Sequence, residues 1–319
     1  MIYAVWLPLL VPFLAVPVAR RVAARLSPRT SVWTLTLTSA VLAACSTLAL
    51  GTLLLAGALR LSPVAALEDI RPRWLGAPFW WTTPAAIGAA GALAAGLGLA
   101  VRRLTGQFRE LRAARAAAGP RAGDLSVAAH GHPYAYALPG RLGRPGTVVV
   151  SSAMVRALSA AEREALFAHE RAHLSGRHHL FLGCAQVASV LHPSLRELRR
   201  PLAFHLERWA DESAAAAVGD RKLTARAISR AALAAHASPL RPPRAGVLLG
   251  ATTGPVPQRV LALLAPAGGA PGPVARRSRR CVAALLLCSV AVSGAGALHA
   301  VADLHSDVEV AETHRPAAP

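Results

Sequence analysis

The chain has 319 residues, enough for one or two domains. A mean hydropathy of +0.40, with 54% hydrophobic residues gathered in long Ala, Leu and Val blocks, is too apolar for an ordinary soluble enzyme and points to membrane spans. The net charge of +19 is almost all arginine, with Lys222 the one lysine, and the arginines cluster at the ends of apolar blocks, which fits membrane orientation and speaks against nucleic acid as a partner.

Residues 2–19 are uncharged and long enough to span, with Pro8, Pro12 and Pro17 expected to kink the helix. No basic residue precedes the stretch, so it does not read as a cleavable signal peptide. Neighbouring helices would have to cover the carbonyls that the prolines free. Arg20, Arg21, Arg25 and Arg29 follow, which places this end in the cytoplasm by the positive-inside rule. Residues 31–59 form a second span. The loop 61–81 gathers Trp74, Phe79, Trp80 and Trp81, as at a membrane interface. Residues 82–101 form a third span, rich in Ala and Gly and therefore suited to close helix packing. Arg102, Arg103, Arg109, Arg112 and Arg115 follow it, and residues 104–118 read as a separate basic helix lying on or rising from the membrane. Gly119 to Gly123 read as a linker, and Tyr134 to Leu138 and Val148 to Val150 as two short strands.

Ser159 followed by Glu162 is a capping box, and residues 160–174 hold neither Gly nor Pro, so a helix starts here and Gly176 can end it. This helix carries His169, Glu170, Arg171, Ala172 and His173, an H-E-x-x-H. Residues four apart share a helix face, so both imidazoles can meet one metal, and the pair suits tetrahedral zinc. Glu170, beside the first ligand, can activate water. A catalytic zinc needs a third protein ligand, and the best candidate is Glu207 in F-H-L-E-R-W-A-D-E, thirty-four residues after His173. Asp211, one turn on, can accept a hydrogen bond from a ligand imidazole. Glu207 and Asp211 alone would read as a solvated helix face. Yet seven of the 16 acidic residues fall between Glu162 and Glu212, and a metal site is a reason for that concentration.

His178 and His179 lie past Gly176, off the ligand face, and read as interfacial residues or as residues that support a ligand. Residues 180–191 are apolar but too short to cross a bilayer. Residues 194–218 form the helix of Glu207, where His205 points to the opposite face. Residues 223–237 form another helix, 238–257 a loop, 256–264 a short helix with Arg259, and 265–274 a linker. Arg276, Arg277, Arg279 and Arg280 precede a fourth span at 281–302, which leaves the tail 303–319 outside. Cys45, Cys184, Cys281 and Cys288 form no C-x-x-C, so neither a disulfide framework nor a cysteine metal site is implied.

H-E-R-A-H followed by E-R-W-A-D resembles the integral-membrane zinc peptidases, namely the HtpX and CAAX-prenyl-protease family and the related MecR/BlaR sensor-transducers. The similarity extends upstream through Thr147 to Ser159. The resemblance implies a mainly α, four-span membrane protein: residues 1–103 with three spans, a cytoplasmic zincin-type metallopeptidase domain at 104–278 carrying a small β element, and 279–319 with the fourth span. It implies one zinc ion per chain held by His169, His173 and Glu207, with Glu170 as the catalytic base and Asp211 behind a ligand. The expected partners are the bilayer and a protein or peptide substrate, such as a cytoplasmic repressor, with no nucleic acid. An edge strand beside the metal holds substrate in many zinc peptidases, a role that falls to Tyr134 to Leu138 unless this is an ordinary hairpin. Relatives often read H-P-x-x-x-R near Arg259, whereas here Gly254-Pro255 stands in place of His-Pro, which leaves the oxyanion stabiliser unassigned. A penicillin-binding sensor domain with its Ser-x-x-Lys is not expected, since Lys222 has Gly219 three residues before it. The alternative to an endopeptidase is a signal transducer whose zinc domain relays without cleaving. A weaker one is a structural membrane protein in which H-E-R-A-H binds no metal.

Overall fold

The computed structural model describes residues 4–59, 79–119, 121–141, 143, 145–238, 255–265 and 273–313. The protein is mainly helical. A 3-10 turn, Ala4–Trp6, leads into α1 (Leu7–Ala23), followed by α2 (Pro28–Ala58) and α3 (Phe79–Ala117). Four strands come next: β1 (Arg121–Ala122), β2 (Leu125–Ala128), β3 (Ala135–Leu138) and β4 (Thr147–Ser151). Then follow α4 (Ser152–Ala157), α5 (Ala160–Ser175), α6 (His178–Leu191), a 3-10 stretch Pro193–Leu198, α7 (Arg199–Val218), α8 (Arg221–Ala237), α9 (Val256–Leu264) and α10 (Pro273–Thr313). The aromatic loop expected before the third span falls mostly outside the described residues, as do most of the loop before α9 and of the linker after it.

Among the described residues four helices are long and apolar enough to cross a membrane: Ala4–Ala23, Pro28–Ala58, Trp80–Ala117 and Ala283–Ser306. Among these helices α1, α2 and α10 pack on one another, and α3 packs on α2. Pro12 removes the N–H that would bond the Pro8 carbonyl, and Ser46 of α2 donates its hydroxyl to that oxygen at 2.7 Å. The neighbouring helix thus covers a carbonyl that a proline frees. Close packing at the third span has a counterpart on the second: a Cβ on Gly57 would lie 2.1 Å from Ala86 Cβ.

The third span and the basic helix, read above as two elements, are one. The arginines after residue 101 are good helix formers, and nothing in 102–117 breaks the ladder. At 39 residues α3 is about 58 Å long, against about 30 Å of hydrocarbon, so it runs well beyond any bilayer it crosses. Its far end lies on the sheet, where Leu111, Ala114 and Ala118 pack against Tyr134, Tyr136, Leu138 and Val149.

The sheet order is β1-β2-β4-β3. The segment 119–123, read as a linker, instead starts this sheet. Ala122 pairs with Leu125 across a two-residue turn at Gly123 and Asp124, with Gly123 at φ 64. β2 runs parallel to β4 and β3 antiparallel to it, so β3 is an edge strand. The opposite face of the sheet closes on α4, α5 and α8 through Ala135, Val150, Met154, Leu158, Leu166 and Ala231.

A larger core joins the bundle of long apolar helices to the second helical layer. Val32, Leu35 and Leu42 of α2 meet Phe181 and Ala185 of α6 and Leu202 and Leu206 of α7. The helix that bears Glu207 is therefore braced directly against α2, one of the helices long and apolar enough to span.

Candidate metal centre

The helix α5 begins as its sequence dictates. Ser159 accepts a bond from the Glu162 amide, and the Glu162 carboxylate accepts from the Ser159 amide at 3.0 Å. That carboxylate also accepts from Arg230 of α8 at 2.9 and 3.1 Å, which fixes the start of α5 on its neighbour. Three turns on, His169, Glu170 and His173 are all buried.

On α7, Leu206, Ala210 and Ala214 turn into the core and carry Glu207 and Asp211 with them, both buried. The His169 and His173 Nε2 atoms stand 3.1 Å apart. The Glu207 carboxylate oxygens lie 3.5 Å from His169 Nε2 and 3.7 Å from His173 Nε2. Donors on a tetrahedral ion with zinc–ligand bonds near 2.1 Å are about 3.4 Å apart, so these three side chains surround a space of the size zinc needs. Among the described residues this trio is the one group of three or more that could hold a metal ion.

The surrounding shell orients both imidazoles. His169 Nδ1 lies 3.0 Å from Asp211 Oδ1, so the Nδ1–H donates to the carboxylate and Nε2 is left for a metal. His173 Nδ1 lies 2.7 Å from Nδ1 of His178, which is also buried. For His173 to turn a bare Nε2 to the metal its proton must sit on Nδ1, and His178 Nδ1 then accepts it. Burial pushes His178 down to about 3, so it is neutral and able to accept. Trp209 packs on the far side of His178, 4.7 Å between centroids, and the Arg29 guanidinium at the start of α2 lies over Trp209.

The chain turn that aims His178 is unusual. Gly176 has ordinary helical backbone, but a Cβ there would stand 2.4 Å from His178 Nε2. Arg177 then takes the left-handed region at φ 50, the one non-glycine among the described residues to do so. Glycine serves here for room, and arginine bears the reversal. His178 thereby falls back onto His173. Helical phase continued past Gly176 would have kept it away, and the reading of His178 as a support for a ligand matches this contact. His179 and His205 stay outside the cluster.

Arg259 of α9, noted in the sequence without a role in the centre, is fully buried. It grips Asp211 with two bonds, Nε to Oδ2 at 2.8 Å and Nη2 to Oδ1 at 2.7 Å, and its Nη1 lies 2.9 Å from Glu207 Oε2. Burial opposes the charge on both acids. The Arg259 guanidinium and the neighbouring imidazoles outweigh it, holding Glu207 below the usual carboxylate range and Asp211 at about 2. Arg221 seats α9 by donating to the Leu263 and Ala262 carbonyls at 2.9 and 3.0 Å while it pairs with Glu212 of α7. The sequence signals for Arg259 were its place in a short apolar helix and the P-x-x-x-R spacing from Pro255, and neither pointed to Glu207 or Asp211.

The charges suit a cation. Glu170, Glu207 and Asp211 face a single guanidinium, which leaves about two negative charges for a divalent ion to cancel. Burial lowers His173 well below its ordinary value. His169, which burial also opposes, is raised to about 9 by Asp211 and Glu207. In the metal-free protein His169 therefore carries the positive charge that a metal would replace.

No curated protein and no solved structure matches the chain. The model of peptidase family M48 matches residues 102–203, from the outer part of α3 through the sheet, α5 and α6 to the first residues of α7. Glu207 and Arg259 lie beyond the matched segment, so their place in the centre rests on geometry. The matched segment, about a third of the chain, includes His169, Glu170 and His173, and over it the chain is similar to peptidase family M48.

Proposed function

We propose that this protein is a membrane-bound, zinc-dependent endopeptidase whose centre is His169, His173 and Glu207, with Glu170 as the base. The observation that carries the proposal is the convergence of two imidazole nitrogens and one carboxylate, 3.1 to 3.7 Å apart and buried, beside the buried Glu170. Zinc, when bound, supplies Lewis acidity that polarises a peptide carbonyl and acidifies water. The protein's own groups do the rest. Asp211 and His178 set the tautomers of His169 and His173. Glu170 takes the proton of the attacking water and passes it to the leaving amine. Arg259 offsets the charge of Glu207 and Asp211 and keeps the third ligand in place. The edge strand β3, next to α5, offers its backbone to an extended substrate.

The arginines after α1 and along α3 support a catalytic domain on the cytoplasmic face. A cytoplasmic repressor, misfolded membrane proteins or the chain itself are the substrates this placement favours, in the manner of the HtpX-like and MecR/BlaR-like proteins it resembles. A second reading, a relay that signals without cleaving, draws on the contacts from Arg29 through Trp209 and His178 to His173, which join a spanning helix to a ligand.

The test is metal content followed by cleavage. The full chain purified in mild detergent should hold about one zinc, lost in Glu207→Ala and kept in Glu170→Gln. Glu170→Gln should abolish self-cleavage and cleavage of a denatured protein substrate. Output that survives Glu170→Gln favours the relay, and a native chain that takes up no zinc overturns both readings.

A further inference from the structure

Between the C-terminal end of α1 and the first turns of α7 lies a cleft of about 970 Å³. Four arginines line it, Arg20 and Arg21 from α1 and Arg200 and Arg208 from α7, and no acidic residue does. Phe204 and Pro17 add apolar wall beside them. Arg20 reaches Glu197 at 3.0 Å, with both side chains more than half exposed. Arg208 reaches Glu212 at 3.2 Å, a carboxylate that Arg221 also claims. Arg21 and Arg200 meet no carboxylate among the described residues. The cleft therefore holds more guanidinium charge than its surroundings neutralise.

We propose that this cleft binds the phosphate headgroup of an anionic phospholipid. Its position argues for a lipid. Arg20 and Arg21 come where the apolar run of α1 ends, and residues 24–27 join α1 to α2, so the rim sits where two membrane-spanning helices leave the hydrocarbon. Lipid phosphates lie at that level. Its chemistry argues for the same occupant. A guanidinium fork matches two phosphate oxygens, and the apolar wall suits the first carbons of acyl chains. An acidic peptide would satisfy the arginines and leave that wall wet. The cleft also borders the metal centre's own helices, since Arg208 follows Glu207 and Gln258, another wall residue, precedes Arg259. The inference rests on the membrane-spanning helices and not on peptidase activity.

The test is native mass spectrometry of the full chain in detergent, titrated with phosphatidylglycerol and, separately, with phosphatidylcholine of the same acyl chains. One phosphatidylglycerol should bind saturably where phosphatidylcholine does not. The double variant Arg21→Glu/Arg200→Glu should weaken that binding by about tenfold or more, while Arg102→Glu/Arg103→Glu, an equal charge change on exposed α3 arginines, should alter it less than about twofold. Zinc content and melting temperature check the fold, and Arg21→Gln/Arg200→Gln replaces the reversal if either drops. Equal loss in the two double variants overturns the proposal, because attraction is then diffuse. So does unchanged binding in the Arg21/Arg200 variants, or equal binding of phosphatidylcholine. Displacement of phosphatidylglycerol by soluble glycerol phosphate or by a polyglutamate peptide at equal concentration overturns it as well.

Discussion

His173 and His178 share one hydrogen bond, Nδ1 to Nδ1 at 2.7 Å, in a buried pocket closed by Trp209. An imidazole here does for His173 what the Asp211 carboxylate does for His169. Replacing His178 by Ala strands the His173 Nδ1 proton and frees the ring to turn. Zinc affinity should fall by about 10- to 100-fold, as when other supports of metal ligands are removed. Competition with a chromophoric chelator measures it, and affinity equal to the native chain's would remove His178 from the centre.

Gly176→Ala should reproduce much of that defect without touching either histidine. The new methyl group would stand 2.4 Å from His178 Nε2 and 2.9 Å from the Ala172 carbonyl. Overpacking of this kind costs about 1–3 kcal/mol. Both melting temperature and zinc affinity should drop. Ser175→Ala, one residue earlier, removes only a half-buried bond to the Ala172 carbonyl and should leave zinc affinity unchanged.

Arg259→Met should destabilise the metal-free protein far more than the zinc-loaded one. Without the guanidinium, Glu207 and Asp211 keep His169 as the one buried cation between them, and a broken buried pair costs about 3–5 kcal/mol. Zinc restores part of the positive charge. Thermal unfolding with chelator and with saturating zinc should show a wider gap between the two states for the variant than for the native chain. An equal gap would mean that Arg259 does not balance the ligand charge.

Zinc uptake at pH 7 should release close to one proton per ion. In the metal-free chain His169 is held at about 9 and is protonated, whereas His173 lies well below neutrality and has no proton to give up. Zinc binds the neutral ring. Affinity should therefore rise about tenfold per pH unit up to roughly 9 and level off above it. The same raised value stabilises the metal-free fold fully below about pH 6.5 and is lost as pH climbs through 9. Calorimetry in buffers of different ionisation enthalpy counts the proton. None released at pH 7 would contradict the Asp211–His169 pairing.

Ser46→Ala should weaken the bundle of apolar helices by about 0.6 kcal/mol, and by no more than about 1.7, the average and upper limit for hydrogen bonds between membrane helices. The hydroxyl is what covers the Pro8 carbonyl that Pro12 leaves open. Thr47→Ala, which loses only a bond within its own helix, is the control for steric unfolding measurements.

Much of this protein was legible in its sequence because much of it is local. Apolar runs gave four helices able to span, Ser159 and Glu162 announced the start of α5, and four-residue spacing paired His169 with His173 and Glu207 with Asp211. Other features carried no local signature. β1 and β2, two and four residues long, are too short to show alternation, and the turn at Gly123 and Asp124 was their only mark. The join between the third span and the basic helix was invisible because arginine changes a helix's solvent and not its backbone.

By itself the sequence determined which side chains could meet a metal, since a helix presents its faces by count alone. Only the tertiary structure decided how Arg259 and His178 come to stand behind them. Arg259 reaches Asp211 from 48 positions away, and the left-handed Arg177 turns His178 onto His173 against the phase of the preceding helix. No periodicity encodes either contact. Both follow from the need of buried charges and buried ring nitrogens to find partners once water is excluded, and chain packing alone settles which partner is within reach.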